Sequence, residues 1–358
     1  MSDVDTVEMI RGREYPHTEK RRLSGKAVIT ILTVALLAAV IGSFALGRYP
    51  VGIRELFGIA VSRLPFVRLE QFWTDTQAIA VVNVRMPRIL LAVLVGASLS
   101  AAGSTYQGVF QNPIAAPDIL GASAGAGFGA ALAIFLGMQN ALVTAFAFIS
   151  SLITVLLVFT IGKHVKGDRT LGLVLAGIII SSLFQAGTSY IKLVADPTNR
   201  LPAITYWLMG SLSGADRETL SFAVWPMLAG ILPVYALRWR LNVITMGDTE
   251  ARAMGVDAQR VRLAAVFGAT LLTAAAVSVS GIIGWVGLVI PHMTRRLVGS
   301  DYRVLMPASM LSGGIFMLLV DDISRNLASS EIPIGILTAI IGAPFFLMLI
   351  TRRDAWHD

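Results

Sequence analysis

Ten apolar stretches divide this chain, and their lengths dictate what it can become. They fall at about 27–47, 89–110, 118–138, 141–162, 171–194, 219–237, 262–280, 284–297, 304–323 and 333–351. A helix needs roughly 20 apolar residues to cross the hydrocarbon core of a membrane. All but the eighth stretch come near that length. Inside lipid each backbone N–H and C=O must be paired, which a helix does within its own segment. The expectation is therefore an all-α, polytopic membrane protein of ten transmembrane helices. Composition agrees: 14% of residues are charged, against roughly 25% in a soluble domain. The 33 glycines suit helices that pack closely in lipid. With no cysteine in the chain, disulfides and Cys-ligated metals are excluded.

Ten crossings put both termini on one side. If that side is the cytoplasm, 19 of the 29 Lys and Arg residues lie inside, in agreement with the positive-inside rule. The net charge of +7 then reflects cytoplasmic helix ends rather than nucleic-acid binding. Three regions follow: a charged cytoplasmic N-terminal tail at 1–25, a membrane domain at 26–353 and a short cytoplasmic C-terminal end at 354–358. The tail lacks the pattern of a cleavable signal peptide. Membrane lipid is the surrounding solvent.

Between the sixth and seventh stretches lies a charged island, Leu241 to Arg262. Gly247 and Gly255 bracket what reads as a two-turn helix. Asp248 suits its N-cap, Glu250 its first turn and Gly255 its C′ position. Asp257 suits the cap of the next helix. An apolar chain would keep such a loop short, so a folded polar object on the inner face reads as a docking surface. Arg260 and Arg262 are expected to anchor the seventh span.

Other motifs carry two readings each. Gln111-Asn-Pro-Ile-Ala-Ala-Pro-Asp118 is either a stiff turn or a constriction at the inner end of a path. Arg85 and Arg88 flank Pro87 at the outer end of the second span; they either snorkel to headgroups or capture carboxylates of a partner. Arg325 stands four residues after Asp321, a spacing that allows a helical ion pair. Gly121, Gly125 and Gly129 make one smooth helix face, and Gly125-Ala-Gly127 lacks the βαβ context of a dinucleotide loop. Pro291 and Pro344 fall inside spans and are expected to kink them. His292 reads as a hydrogen-bonded structural residue, with a metal or proton site as the alternative. The scarcity of mid-span carboxylates argues against an ion-coupled transporter working alone, and no residue cluster suggests a membrane-embedded enzyme. No phosphate loop of the form G-x-x-x-x-G-K-[ST] occurs, so any ATP must be bound by another subunit.

Six segments together resemble one family. They are Arg85-Met-Pro-Arg88, the Gln107–Asp118 segment, Leu120–Ala126, the 241–256 stretch, Gly284–Arg295 and Glu331–Phe346. The chain resembles, from about residue 27 onward, the permease subunits of importers for iron-siderophores, haem and vitamin B12, the FecCD type. Two departures stand out: Ile114 where Leu is usual and Trp285 where Phe is common. The resemblance implies the permease fold of a type II ABC importer, without enzymatic activity or a cofactor or metal of its own. It implies a second permease subunit (an identical copy or a paralogue), two ATPase subunits holding ATP and Mg, and an extracytoplasmic substrate-binding protein, in the cytoplasmic (inner) membrane of a bacterium. It implies coupling to the ATPase through helices at about 246–258, with Met246, Gly247, Asp248, Glu250, Ala251, Arg252, Met254 and Gly255. It implies an inner gate at Asn112, Pro113 and Ile114 with Asp168, Arg169 and Thr170, and binding-protein docking at Arg85, Arg88 and Arg325. The implied cargo is a ferric siderophore, with haem, cobalamin or an oxyanion such as molybdate as alternatives.

Overall fold

A computed structural model of the chain describes residues 24–47, 49–63, 70–165 and 169–351, with the side chains of 169, 170, 349 and 350 aside. The tail before residue 24, the C-terminal end from 352 and Asp168 lie outside these residues. Fourteen helices run through the described residues. In chain order they are α1 (Gly25–Ala45), α2 (Ile53–Val61), α3 (Asp75–Val109), α4 (Ala122–Phe135), α5 (Asn140–Gly162), α6 (Arg169–Val194) and α7 (Arg200–Leu208). There follow α8 (Arg217–Ala236), α9 (Arg238–Ile244), α10 (Asp248–Ala253), α11 (Ala258–Ser280), α12 (Val286–Val298), α13 (Tyr302–Asn326) and α14 (Ile334–Thr351). Ten of them answer to the ten apolar stretches. Seven are long and apolar enough to cross a membrane: α1, α3, α5, α6, α8, α11 and α13. Helices α4, α12 and α14 are shorter.

The bundle is built around α3. Its 87–109 stretch is almost wholly buried, and it packs most heavily on α13 and α11. Small residues make this possible, because in lipid there is no hydrophobic drive between helices and close backbone approach must hold them together. Gly96, Ala97, Ser98, Ala101, Ala102, Gly103 and Ser104 leave α3 nearly smooth. A Cβ on Gly103 would lie 1.7 Å from the carbonyl oxygen of Gly287 in α12. The α4–α5 contact works likewise: a Cβ on Gly125 or Gly129 would strike Thr154 Oγ1 or the Phe146 carbonyl. Gly121, grouped with those two by spacing, instead caps α4 with φ +75°. The peripheral α1 buries little and presents Ile31, Val34, Leu37 and Ile41 outward.

Helix α3 begins well before the expected 89. Thr74 caps it: its hydroxyl accepts from Gln77 N at 3.2 Å, while Gln77 Oε1 accepts from Thr74 N at 2.9 Å. This reciprocal pair satisfies two orphan helix-end donors. Pro87, which has no N–H to give, follows a π turn at Ala80–Arg85 whose extra residue is taken up by Met86 N donating to Val81 O. Arg85 and Arg88 therefore sit inside a helix, not at its mouth. Pro291 and Pro344 lie inside α12 and α14 as expected, and Pro226, Pro233 and Pro307 lie inside α8 and α13.

Candidate functional site

Two clusters of polar side chains occupy opposite ends of the bundle. The first is the island. Helix α9 docks through buried Leu241, Val243 and Ile244. Asn242 fixes it to the start of α13: its amide donates to Asp301 Oδ1 at 2.6 Å and its oxygen accepts from Tyr302 N at 2.8 Å. Helix α10 then runs for six residues. Its N-cap is Gly247 (φ +128°), not Asp248 as expected. Asp248 is the first helical residue, and its carboxylate receives Arg262 Nη1 at 3.0 Å and Nη2 at 2.6 Å. The hydrogen bonds from Arg262 hold the Asp248 carboxyl below the usual carboxylate range. Arg262 thus joins α10 to α11 and is more than an anchor of the seventh span, because a guanidinium fork fits a carboxylate with two parallel bonds.

The stop of α10 matches the sequence reading. Gly255 adopts φ +74°, its N–H donates to Arg252 O at 3.0 Å, and Val256 N donates to Ala251 O at 2.8 Å. That crossed pair of bonds is the Schellman end of a helix. Asp257 caps α11 as expected, accepting from Gln259 N and Arg260 N, each at 3.1 Å, and pairs with Arg260 at 3.0 Å. Ala251 is buried beneath α10, while Met246 (65% exposed) and Met254 (51% exposed) stand out on either side. Exposed, adaptable thioethers suit a surface that meets a protein. A groove of about 610 Å³ runs beside α10, with an apolar floor including Phe110, Phe159 and Leu263 and a rim bearing Arg252.

The loop after α3 lies at the same end. Asn112 Oδ1 accepts from Ile114 N at 3.0 Å and Ala115 N donates to Asn112 O at 3.0 Å, so the turn around Pro113 is stiff. Ile114 projects 48% exposed. Gln111, at φ +48°, donates from Nε2 to the carbonyl of Ile244 at 2.8 Å. This bond ties the loop to α9, the element that leads into α10. The other half of the expected gate is not placed: Asp168 and the side chains of Arg169 and Thr170 lie outside the described residues.

The second cluster gathers Arg85, Arg88 and Arg325, as expected from the sequence, but each is buried. Arg88 grips Asp321 through Nε at 3.0 Å and Nη2 at 2.9 Å, and holds Glu331 in a bidentate pair at 2.8 and 2.9 Å. Arg325 makes the anticipated ion pair with Asp321, 3.1 Å away, and a second with Asp322. Ser43 of α1 donates to Asp322 Oδ1 at 2.7 Å. Arg85 donates to the carbonyls of Phe44 and Tyr49. Acidic partners hold Arg88 and Arg325 inside and carbonyls hold Arg85, since a charge in a low-dielectric site must be paired or hydrogen-bonded. The cluster therefore joins α1, α3 and α13. Glu331, Asp322 and Ser43 were missed as members; only the Asp321–Arg325 spacing could have signalled the cluster. Arg85, Arg88 and Arg325 also line an open cavity of about 380 Å³ with Tyr49, Thr76 and Glu331.

Near the island end, Arg295 Nη2 lies 3.4 Å from Gln107 Oε1 and 3.3 Å from the Tyr302 hydroxyl. His292 is half-buried, and its Nε2 has no partner among the described residues, in contrast to the hydrogen-bonded residue expected. Trp285 takes φ +71° and packs edge-on against Phe346 of α14.

Comparison with known proteins places the chain as a whole. The model of the FecCD transport family matches residues 34–352. The molybdate import system permease protein MolB of Haemophilus influenzae is 38% identical over 321 residues, covering 90% of this chain and 94% of that protein. The hemin transport system permease protein HmuU of Yersinia pestis is 33% identical over 339 residues, covering 93% and 97%. A solved structure described as a metal-chelate type ABC transporter in an inward-facing conformation superposes with a TM-score of 0.80 at 37% identity, over 91% of this chain and 99% of that one. The chain is thus a multi-pass ABC transporter permease and belongs to the FecCD transport family.

Proposed function

We propose that this permease forms half of a translocation path with a second permease subunit, an identical copy or a paralogue. In this reading α10 docks on an ATPase subunit that carries ATP and Mg, and both chain termini lie in the cytoplasm of a bacterium. The hydrogen bond from Gln111 to the Ile244 carbonyl carries the reading. It gives a displacement of α10 a direct line through α9 to the Asn112–Ile114 turn, which serves as the inner gate. The permease does no chemistry on its cargo; ATP hydrolysis belongs to the partner. An extracytoplasmic binding protein meets the opposite end, around the cavity of Arg85, Arg88 and Arg325. A carboxylate arriving there must displace Glu331 to make a bidentate pair with Arg88, because Glu331 already takes a hydrogen bond from each Nη atom of that guanidinium.

The cargo is a metal chelate, and we place a ferric siderophore first. The support is the likeness to a hemin transport permease and to a metal-chelate type transporter. The likeness to a molybdate permease over 90% of the chain favours a second reading, an oxyanion. Reconstitution in proteoliposomes with the ATPase and the binding protein tests this. Uptake of ferric siderophore that needs ATP is expected, with haem, cobalamin and molybdate as competitors. Uptake by the permease alone would make it a stand-alone transporter and overturn the reading.

A further inference from the structure

Helix α6 crosses the membrane with an exposed face of two chemistries. At 3.6 residues per turn, Ser182, Gln185 and Ser189 follow one another at steps of three and four and form one stripe. All three are exposed. Ile179, Leu183 and Tyr190, each about two-thirds exposed, form the adjoining stripe, and the opposite side buries Ala176, Ile180 and Ile191. Lipid would be met by the apolar stripe. The polar stripe is a poor lipid surface, because an unpaired amide in hydrocarbon loses its hydrogen bonds with water.

The serines satisfy their donors locally. Ser182 Oγ donates to Ile178 O and Ser189 Oγ to Gln185 O, each at 2.9 Å. Their oxygens still accept. The Gln185 side chain makes no hydrogen bond to another described residue, so two donors and a carbonyl acceptor stand free. The flank bordering this stripe leads toward the gate loop. A Cβ on Gly177 would lie 2.3 Å from the Ile119 carbonyl, and Ser181 Oγ lies 2.4 Å from a Cβ on Gly121. Those contacts seat α6 against the short turn Pro117–Leu120.

We propose that Ser182, Gln185 and Ser189 form a water-lined strip of the translocation path, with Gln185 hydrogen-bonding the cargo as it passes. The cargo this suits presents oxygen atoms on its outside, such as an oxygen-rich chelate or an oxyanion, rather than a bare apolar shell. The proposal rests on the importer reading above and deepens it.

The native chain has no cysteine, so single cysteines can be placed without removing any. In the permease–ATPase complex in proteoliposomes, Ser182→Cys, Gln185→Cys and Ser189→Cys are treated with a charged, membrane-impermeant methanethiosulfonate. Ile179→Cys and Leu183→Cys serve as comparison. The reactive species is the thiolate, which lipid suppresses, so the stripe positions should react about tenfold faster or more. Equal, slow reaction at all five would place the stripe in lipid. Disulfides joining two copies at 185, with no labelling, would make it a packing seam. Either result overturns the proposal. Gln185→Leu should cut uptake with ATP hydrolysis retained, and Gln185→Asn should restore part of it; undiminished uptake in Gln185→Leu removes the cargo contact. Uptake without ATP would sink the importer reading yet leave the labelling pattern intact, so the two failures are separable.

Discussion

Charged side chains in this molecule differ sharply in what they are worth, and their surroundings decide it. Asp321 is fully buried and held by Arg88 and Arg325. Arg88→Met would leave that carboxylate to Arg325 alone, and losing one partner of a buried ionic cluster should cost up to about 3 kcal/mol, the lower end for breaking a buried pair from one side. Glu331→Gln keeps the shape, sits near solvent and should cost about 1 kcal/mol or less. Thermal unfolding of the purified permease should separate the two variants clearly; equal, small shifts would show the cluster to be energetically idle. The Asp248–Arg262 pair is half-exposed, so its contribution is on the order of 0.5 kcal/mol. Its sign follows from the direction of the shift. A carboxyl held below its usual range stabilises the fold above that range, and the contribution fades as pH falls through the lowered value. Asp248→Asn should therefore be less stable than the wild type at about pH 7, and the difference should narrow as the pH is taken down to about 3. Unfolding midpoints at both pH values check it.

Among the elements, α10 depends on a single backbone position. Gly255 has φ +74°, and a Cβ there would meet nothing within 4 Å. The cost of Gly255→Val is thus conformational rather than steric, about 1–2 kcal/mol for a left-handed residue. The helix stop should loosen while the spans stay folded. ATP-driven uptake should fall with the unfolding midpoint of the bundle little changed, and full uptake would show that the stop is dispensable. This end was legible because its signals are local: Gly255, Asp257 and the charge run lie within one stretch. The ten spans were legible for the same reason, being continuous apolar runs. The start of α3 is also written locally, in Thr74 and Gln77, but lies outside the apolar stretch that marks the span. The arginine cluster was not legible, because Arg88 and Asp321 are 233 residues apart. No periodicity reports a pair that only the packing of α3 on α13 creates. Asp248 and Arg262 lie closer, yet their pairing depends on the turn at Gly255 folding α10 back on α11.

At the scale of the whole molecule, the bundle coheres through backbone contact at its centre. Lipid-facing helices such as α1 carry large apolar residues that have no preference between lipid and protein. The central helices have shed their side chains instead, so that dispersion acts between closely apposed backbones. Gly103 and Gly287 mark the tightest such point, with 1.7 Å left for a Cβ against a carbonyl oxygen. Neither partner is a flexible side chain that could step aside, so accommodation means separating α3 from α12. That movement would also disturb Gln107, whose amide donates to Leu288 O at 3.3 Å and which sits four residues before Gln111. Gly103→Ala should then lower stability by about 3 kcal/mol, the upper end for overpacking, and reduce coupling as well. Gly284→Ala is the matched control: a Cβ there meets nothing within 4 Å, so its effect should stay within about 0.5 kcal/mol. Unfolding midpoints and ATP-driven uptake of the two variants side by side decide the matter. If Gly103→Ala behaves like Gly284→Ala, the centre of the bundle is looser than its backbone contacts imply, and the transmission from α10 to the gate must run through α9 alone.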